Sequence, residues 1–271
     1  MKVLVFGSAG HLGRLLLDAL NRHGVRGLVR SDADLRDRAA VRRAVEETAP
    51  ESVILAAGMA SADDCEDRPG DAYALNVDGA RNAAEASRGR AFVHFSTDHV
   101  FDGKAGPYSE ADAPNPISVY GRTKLESERI VLTVNPRSLV LRTSLVWSAT
   151  GRSFFTTLRE AREPVPCWTD HVGTYTFGPN LARAVVEMME RGFVGLWHVA
   201  GTSLLNRHEF ALQVAAAFDL DPSLFRPVSI HDAPPRAPRP LRAGLRTERA
   251  RAVLQTPLLS TEEALEALRS A

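Results

Sequence analysis

Apolar residues in the first half of the chain fall into short runs, each followed by a stretch of helical spacing. Lys2 to Phe6 is a mainly apolar run that ends in Gly7-Ser8-Ala9-Gly10-His11-Leu12-Gly13, which reads as a buried strand entering a turn. Leu12, Leu15, Leu16, Leu17 and Leu20 then recur at helix spacing as far as Gly24, and a second strand is expected over Val25 to Val29. The alternation repeats, with helices at about Arg38 to Glu47 and Asp71 to Ser87, and strands at Ser52 to Ala57 and Ala91 to Ser96. After a Gly/Pro-rich loop from Asp102 to Pro116, a helix is expected at about Val119 to Val131 and a strand at Arg137 to Leu141. Repeated strand–helix units imply a doubly wound parallel α/β sheet covered by helices on both faces.

Beyond Trp147 the rhythm loosens. Helices are expected at about Ser153 to Ala161 and Pro179 to Arg191, and strands near Val165 to Trp168 and Leu196 to Val199. Four prolines between Asp232 and Pro240 mark an extended loop, and short helices near Thr247 to Leu254 and Thr261 to Ser270 close the chain. The expected division is a nucleotide-binding Rossmann domain over 1–147, with 178–200 packing back onto it, and a smaller, mainly substrate-binding C-terminal region over 148–271.

Charge and composition narrow the function classes. The 271 residues carry 33 Lys and Arg against 33 Asp and Glu, so the broad basic footprint that nucleic acid or an acidic membrane would demand is missing. The apolar stretch Ser138 to Trp147 is interrupted by Arg142 and falls far short of the roughly 20 residues of a membrane span. The N-terminal residues run into glycines without the apolar region of a signal peptide. Cys65 and Cys167 suggest neither a disulfide framework nor a zinc site, and the eight histidines show no ligand spacing. The expectation is a cytoplasmic protein without metal, nucleic-acid partner or membrane; a homodimer stays open.

Gly7, Gly10 and Gly13 form G-x-x-G-x-x-G between a strand and a helix. In a dinucleotide site such glycines supply a tight turn, close approach of backbone to pyrophosphate, and close helix–strand packing, while the helix N-terminus attracts the phosphates. The end of the second strand discriminates the adenosine ribose. Arg30 and Ser31 offer a charge and a hydroxyl suited to a 2′-phosphate, favouring NADP (as NADPH) over NAD, although Asp32 beside them works the other way.

Only three of the basic residues are lysines, so a position that keeps Lys draws attention to its compact ammonium. Lys124 stands four residues after Tyr120, on one face of the expected helix. A neighbouring ammonium favours phenolate and brings Tyr120 closer to proton exchange with a carbonyl or alcohol oxygen. Ser96 and Thr97 end the fourth strand, at the sheet edge that faces the ligand crevice.

These segments, with Ala56-Ala57-Gly58, Asp63 through Asn76, Thr97-Asp98-His99-Val100-Phe101-Asp102-Gly103, Arg142-Thr143-Ser144 and Asp170-His171-Val172-Gly173-Thr174, resemble the extended short-chain dehydrogenases/reductases. Within them the chain is most similar to the dTDP-4-dehydrorhamnose reductase family. The resemblance implies a reductase of a nucleotide-linked 4-keto sugar. By it, Thr97 bonds the substrate oxygen, Tyr120 donates the proton, and Lys124 holds the nicotinamide ribose while lowering the tyrosine pKa. It also places Asp34-Leu35 beside the adenine and Ala56-Ala57-Gly58 along the cofactor, and makes Asn76 structural. Asp98, His99 and Leu145 would face the sugar. The family's Thr-Asp-Tyr and Arg-Thr-Ser-Trp here become Thr97-Asp98-His99 and Arg142-Thr143-Ser144-Leu145, which puts substrate identity in doubt more than chemistry.

Of Trp147, Trp168 and Trp197, burial is the default and Trp147 is the one expected to reach ligand. Among Arg236, Arg239 and Arg242, Arg239 matches an Arg-Pro pair of the resembling family and is a candidate for the diphosphate. Two alternatives compete with the reductase: a non-catalytic NADP-binding regulatory subunit, disfavoured by Thr97, Tyr120 and Lys124 together, and a nucleotide-sugar epimerase, disfavoured by Val100-Phe101-Asp102-Gly103.

Overall fold

The first strand, β1 (Lys2–Phe6), is buried from Val3 onward and lies one in from the edge of a six-stranded sheet. Its helix α1 (His11–Ala19) leads to β2 (Gly24–Leu28), and α2 (Arg38–Thr48), capped by the Asp37 carboxylate, leads back to β3 (Ser52–Leu55) on the other side of β1. The chain therefore reverses its direction across the sheet between β1 and β3, the place where such sheets open a crevice at their carboxyl ends.

Helices α3 (Ala62–Asp67), α4 (Pro69–Tyr73) and α5 (Gly79–Ala86) follow, with a π-helical turn over Ala74–Asp78 joining the last two. The single helix expected at 71–87 is thus broken by a wide turn, which aims Asn76 sideways at Met59 and Thr123. Strand β4 (Ala91–Thr97), helix α6 (Val119–Val134) and β5 (Ser138–Thr143) extend the sheet.

The second half contributes β6 (Val146–Trp147), α7 (Phe154–Arg159), β7 (Val165–Trp168), β8 (Val172–Thr174), β9 (Thr176–Phe177) and α8 (Gly178–Glu190), then β10 (Gly195–His198), β11 (Leu204–Asn206), α9 (Arg207–Ala217), β12 (Phe225–Val228), α10 (Glu248–Arg251) and α11 (Thr261–Arg269). The computed structural model describes residues 1–270. Sheet order is β10-β5-β4-β3-β1-β2, every pairing parallel. One apolar layer, with Leu16, Leu181 and Val185, covers one face, and another, with Val41, Ala83 and Val131, covers the other.

A third core, around Trp147, Phe155, Tyr175, Phe210 and Phe225, holds the smaller region together. Its small strand pairs join segments far apart in the chain: β6 with β9, β8 with β11, and β7 with β12. No described helix is long and apolar enough to cross a membrane.

Candidate active site

Gly7 adopts φ +83°, and a Cβ there would meet Ala57 N at 2.7 Å. At Gly13 a Cβ would lie 2.1 Å from Gly7 O, so helix α1 can approach the turn this closely only with glycine. Gly10 caps α1 without a side-chain bond, and the first N–H to close the helical ladder is that of Arg14, to Gly10 O at 3.0 Å. The N–H groups of His11, Leu12 and Gly13 stay outside that ladder and form a ready anion site. Ser8 does not share in it directly: its side chain is buried and its N–H donates to Leu28 O at 3.1 Å.

From this turn a groove runs in two directions. Toward β2 it is bounded by Gly7, Ala9, Gly10, Ala33, Leu35 and Ala57, with Arg30, Asp34 and Arg36 at its rim. Asp34 accepts from Arg36 Nη2 at 2.6 Å and from Arg30 Nε at 3.2 Å. The Arg36 guanidinium, ahead of Arg30, holds the Asp34 carboxyl well below its ordinary range. Two arginines therefore stand at the ribose end, where the sequence reading had only Arg30. Ser31 is exposed and lies outside this lining. Arg36 lies beyond the strand end, in a loop that folds back around Asp34, so position at the strand end does not reveal it.

In the other direction the groove deepens into a cavity of about 560 Å³ at the carboxyl ends of β3, β4 and β5. Gly10, His11 and Leu12 bound it on one side, and Ala56, Ala57 and Gly58 on another. Ser96, Thr97, Asp98 and His99 come from the end of β4, Tyr120 and Lys124 from α6, and Leu145 and Arg239 from the far wall. The groove thus offers an apolar slot, unclaimed N–H groups beside glycine and a paired-arginine rim, a fit for a dinucleotide carrying a 2′-phosphate.

Helix α6 is anchored where it carries Tyr120. Ser118 caps it through Gly121 N, and the Glu66 carboxylate reaches across from α3 to accept from Val119 N at 3.0 Å. A Cβ on Gly121 would lie 2.1 Å from His99 O, so the helix start sits directly on the β4 turn. The Tyr120 ring meets His99 edge to face at 5.4 Å. Burial pushes the phenol above its ordinary value, and the neighbouring Thr97 hydroxyl opposes this. Lys124 does not figure among the causes, so desolvation replaces the expected ammonium effect as the dominant influence in the protein alone.

Burial also brings Lys124 down to about 8, opposed by Glu128 and Cys65. Its Nζ lies 3.5 Å from Nε2 of His94, itself held far below its ordinary value by burial and by that same lysine. Glu128, one turn further on, accepts from Ser96 Oγ and makes a bidentate pair with Arg142, Nε to Oε1 at 2.9 Å and Nη2 to Oε2 at 2.8 Å. The Ser96 hydroxyl is therefore committed to the back of the sheet rather than to the cavity, a role the sequence did not reveal. Arg142 and Glu128 are both about 3% exposed, and their pairing leaves neither charge uncompensated.

Asp98 is buried, with Oδ1 accepting from Thr97 Oγ1 at 3.0 Å and Oδ2 from Ser144 Oγ at 2.5 Å. Burial pushes its carboxyl up to about 6, against the pull of Ser144 and Thr97. His99 is pushed down to about 3 by burial, then by Arg239 and His171. Leu145 adopts φ 42° and presses a methyl toward Gly173, where a Cβ would meet it at 2.8 Å. Arg239 is held by Asp63 at 3.0 Å, whereas Arg236 pairs on the exposed surface with Asp67 at 3.1 Å.

Trp147 departs from its expected place at the ligand. It is 1% exposed and sits among Phe155, Phe177 and Phe210, with centroids 4.9 to 5.5 Å away. The aromatic cluster of the smaller region, rather than the cavity, claims its area.

The family model described as RmlD substrate binding domain matches residues 1–270. A dTDP-4-dehydrorhamnose reductase of Mycolicibacterium smegmatis is 33% identical over 98% of this chain and 84% of its own. A probable dTDP-4,6-dihydroxy-2-methyloxan-3-one 4-ketoreductase of Streptomyces antibioticus is 35% identical over 98% of this chain and 93% of its own. Among solved structures, the Bacillus anthracis dTDP-4-dehydrorhamnose reductase in complex with NADP superposes with a TM-score of 0.94 at 27% identity, covering 99% of this chain and 98% of that one.

Proposed function

The chain belongs to the dTDP-4-dehydrorhamnose reductase family, NADPH-dependent reductases of the keto group of a nucleotide-linked sugar, and from that premise we propose that Thr97, Tyr120 and Lys124 carry the chemistry here. The observation that carries this reading is their convergence on one cavity whose other wall is the glycine turn. The regulatory-subunit and epimerase alternatives give way, since relatives matched over most of their length are named reductases.

NADPH, when bound, supplies the hydride. The N–H groups at the start of α1 would hold its pyrophosphate, Arg30 and Arg36 its 2′-phosphate, and Ala56-Ala57-Gly58 the edge of the slot, while Lys124, in a dry wall, would donate to the nicotinamide ribose. Thr97 donates to the keto oxygen, and the Tyr120 phenol gives its proton to that oxygen as charge develops on it. A phenol kept protonated by burial remains a proton donor across the ordinary pH range. Residues 1–147 with 178–200 act as the cofactor-binding part, and the remainder of 148–271 covers the sugar.

The sugar is a nucleotide-linked 4-keto sugar whose contacts differ from those of dTDP-4-dehydrorhamnose at two points. His99 and Leu145 line the cavity where the family pattern carries Tyr and Trp, and the missing indole removes a stacking surface worth on the order of 1 kcal/mol beyond its area. Wild type, His99→Tyr and Leu145→Trp are to be assayed with dTDP-4-dehydrorhamnose and with 4-keto sugars differently substituted on the ring. Poor wild-type turnover of dTDP-4-dehydrorhamnose, improved about fivefold or more by Leu145→Trp, is expected. Efficient wild-type turnover that neither substitution improves contradicts this specificity.

A further inference from the structure

The Thr97 hydroxyl has one hydrogen, and two acceptors compete for it. In the structure it goes to Asp98 Oδ1, at 3.0 Å, while Thr97 Oγ1 accepts from His99 N at 3.2 Å. Reduction needs that same hydrogen on the keto oxygen. The second carboxylate oxygen is already taken up by Ser144. An ionised Asp98 is acceptor-only and keeps the Thr97 hydrogen, whereas a protonated Asp98 has a hydrogen of its own to give to Thr97 Oγ1 and turns the Thr97 hydrogen toward the cavity.

We propose that Asp98 is a positioning residue that decides, by holding or releasing a proton, whether Thr97 can donate to the keto oxygen, and that reduction runs from the form with a neutral Asp98. This rests on the reading that Thr97 touches the reacting oxygen. Asp98 is 6% exposed, and its partners are hydroxyls and the N–H groups of its own turn rather than a cation. The titratable and charged groups sharing its cavity are Tyr120 and Lys124 of α6, His99 of the same turn, His11 at the start of α1 and Arg239 opposite. Burial pushes the carboxyl up to about 6, which places the switch within reach of ordinary conditions.

The proton accounting is closed without net transfer through Asp98. The carbonyl carbon takes the hydride and is reduced, and the nicotinamide is oxidised. The Tyr120 O–H bond breaks as the new alcohol O–H forms, leaving phenolate. Thr97 and Asp98 keep their hydrogens and only orient them.

The test is kcat/KM for reduction of a nucleotide-linked 4-keto sugar at saturating NADPH, from about pH 5 to about pH 9, in wild type, Asp98→Asn, Ser144→Ala and Thr97→Val. An asparagine places an NH2 where the neutral acid has its OH, so it fixes Thr97 in the donating arrangement. Wild type should lose about tenfold per pH unit above the carboxyl's titration until it reaches a residual rate on the order of 10²-fold below maximum. Asp98→Asn should lose that limb and exceed wild type at the alkaline end by on the order of tenfold. Ser144→Ala removes a bond that favours the carboxylate and should move the limb to higher pH.

A limb near pH 6 that persists in Asp98→Asn overturns the proposal, whereas a separate fall near pH 8 belongs to Lys124 and is shared by both. Should that variant fail to fold, an unmoved limb in Ser144→Ala overturns it equally. Thr97→Val separates the two levels: near-normal reduction by that variant removes the Thr97 reading and this proposal with it. Slow reduction by Thr97→Val beside an unchanged limb in Asp98→Asn removes this proposal alone.

Discussion

Asp34 shows how a single neighbour can change what a residue does. In the loop that follows β2 an isolated carboxylate would accept from a ribose 2′-hydroxyl and repel a 2′-phosphate. Here its charge is shared by Arg36 and Arg30, so both guanidiniums face the cofactor groove while the acid is neutralised between them. NADPH should therefore bind at least tenfold more tightly than NADH, and Arg36→Ala should erase more of that difference than Arg30→Ala, because its contact with Asp34 is the shorter. Calorimetric titration of both cofactors checks this; equal loss of NADH and NADPH affinity on Arg36→Ala would contradict it. His99 makes the same point about surroundings. An imidazole at the cavity mouth would ordinarily titrate near 6.5, but burial pushes it down to about 3, so it lines the cavity neutral.

At the scale of elements, the smaller region depends on Trp147. This side chain stacks with Phe155 and meets Phe177 and Phe210, while its own strand β6 contributes only two paired residues. Trp147→Ala should cost about 3–5 kcal/mol of unfolding free energy, read as a lowered denaturant midpoint, because a large cavity opens at the centre of that cluster. A change under about 1 kcal/mol would show that Trp147 is not central to it.

The same residue shows where sequence reading reaches its limit. The first half was legible because its strands are buried on both faces, so continuous apolar runs such as Val53-Ile54-Leu55 announce themselves between helical periods. That Tyr120, Lys124 and Thr97 share one cavity was legible too, since a helix face and a strand end carry them. Strands of two to four residues such as β6, β8 and β11 have no period to read, and their partners lie far away in the chain. Helix α9 went unread because Leu212 points outward among inward Phe210, Ala211 and Val214, which blurs its apolar face. Trp147 stands at a strand end, as expected of a ligand contact, but Phe155 and the distant Phe177 and Phe210 decide where its ring goes.

For the molecule as a whole, buried imidazoles dominate the response to acid. His94, His99, His171 and His198 are all held below their ordinary values by burial. Between about pH 6.5 and the lowered folded values, the unfolded chain binds protons that the folded chain refuses, so folding stability rises with pH across that window and is lost as pH falls through it. Asp98, raised to about 6, acts in the opposite sense between its unfolded value and 6, but it is one group against four. Urea unfolding at about pH 7.5 and about pH 5 should show a drop of several kcal/mol at the lower pH; equal stability at both would contradict the burial of these side chains.

The central claim is that this cavity reduces the keto group of a nucleotide-linked sugar with Tyr120 as the proton donor. The most direct measurement follows NADPH oxidation in the presence of dTDP-linked 4-keto sugars, for wild type and Tyr120→Phe, with NADPH binding to each measured by calorimetry. Wild type should consume NADPH in step with alcohol formation, and Tyr120→Phe should bind NADPH within about threefold of wild type while turning over on the order of 10² to 10⁴-fold more slowly. Near-normal reduction by Tyr120→Phe, or no oxidation of NADPH by wild type with any such sugar, would contradict the account.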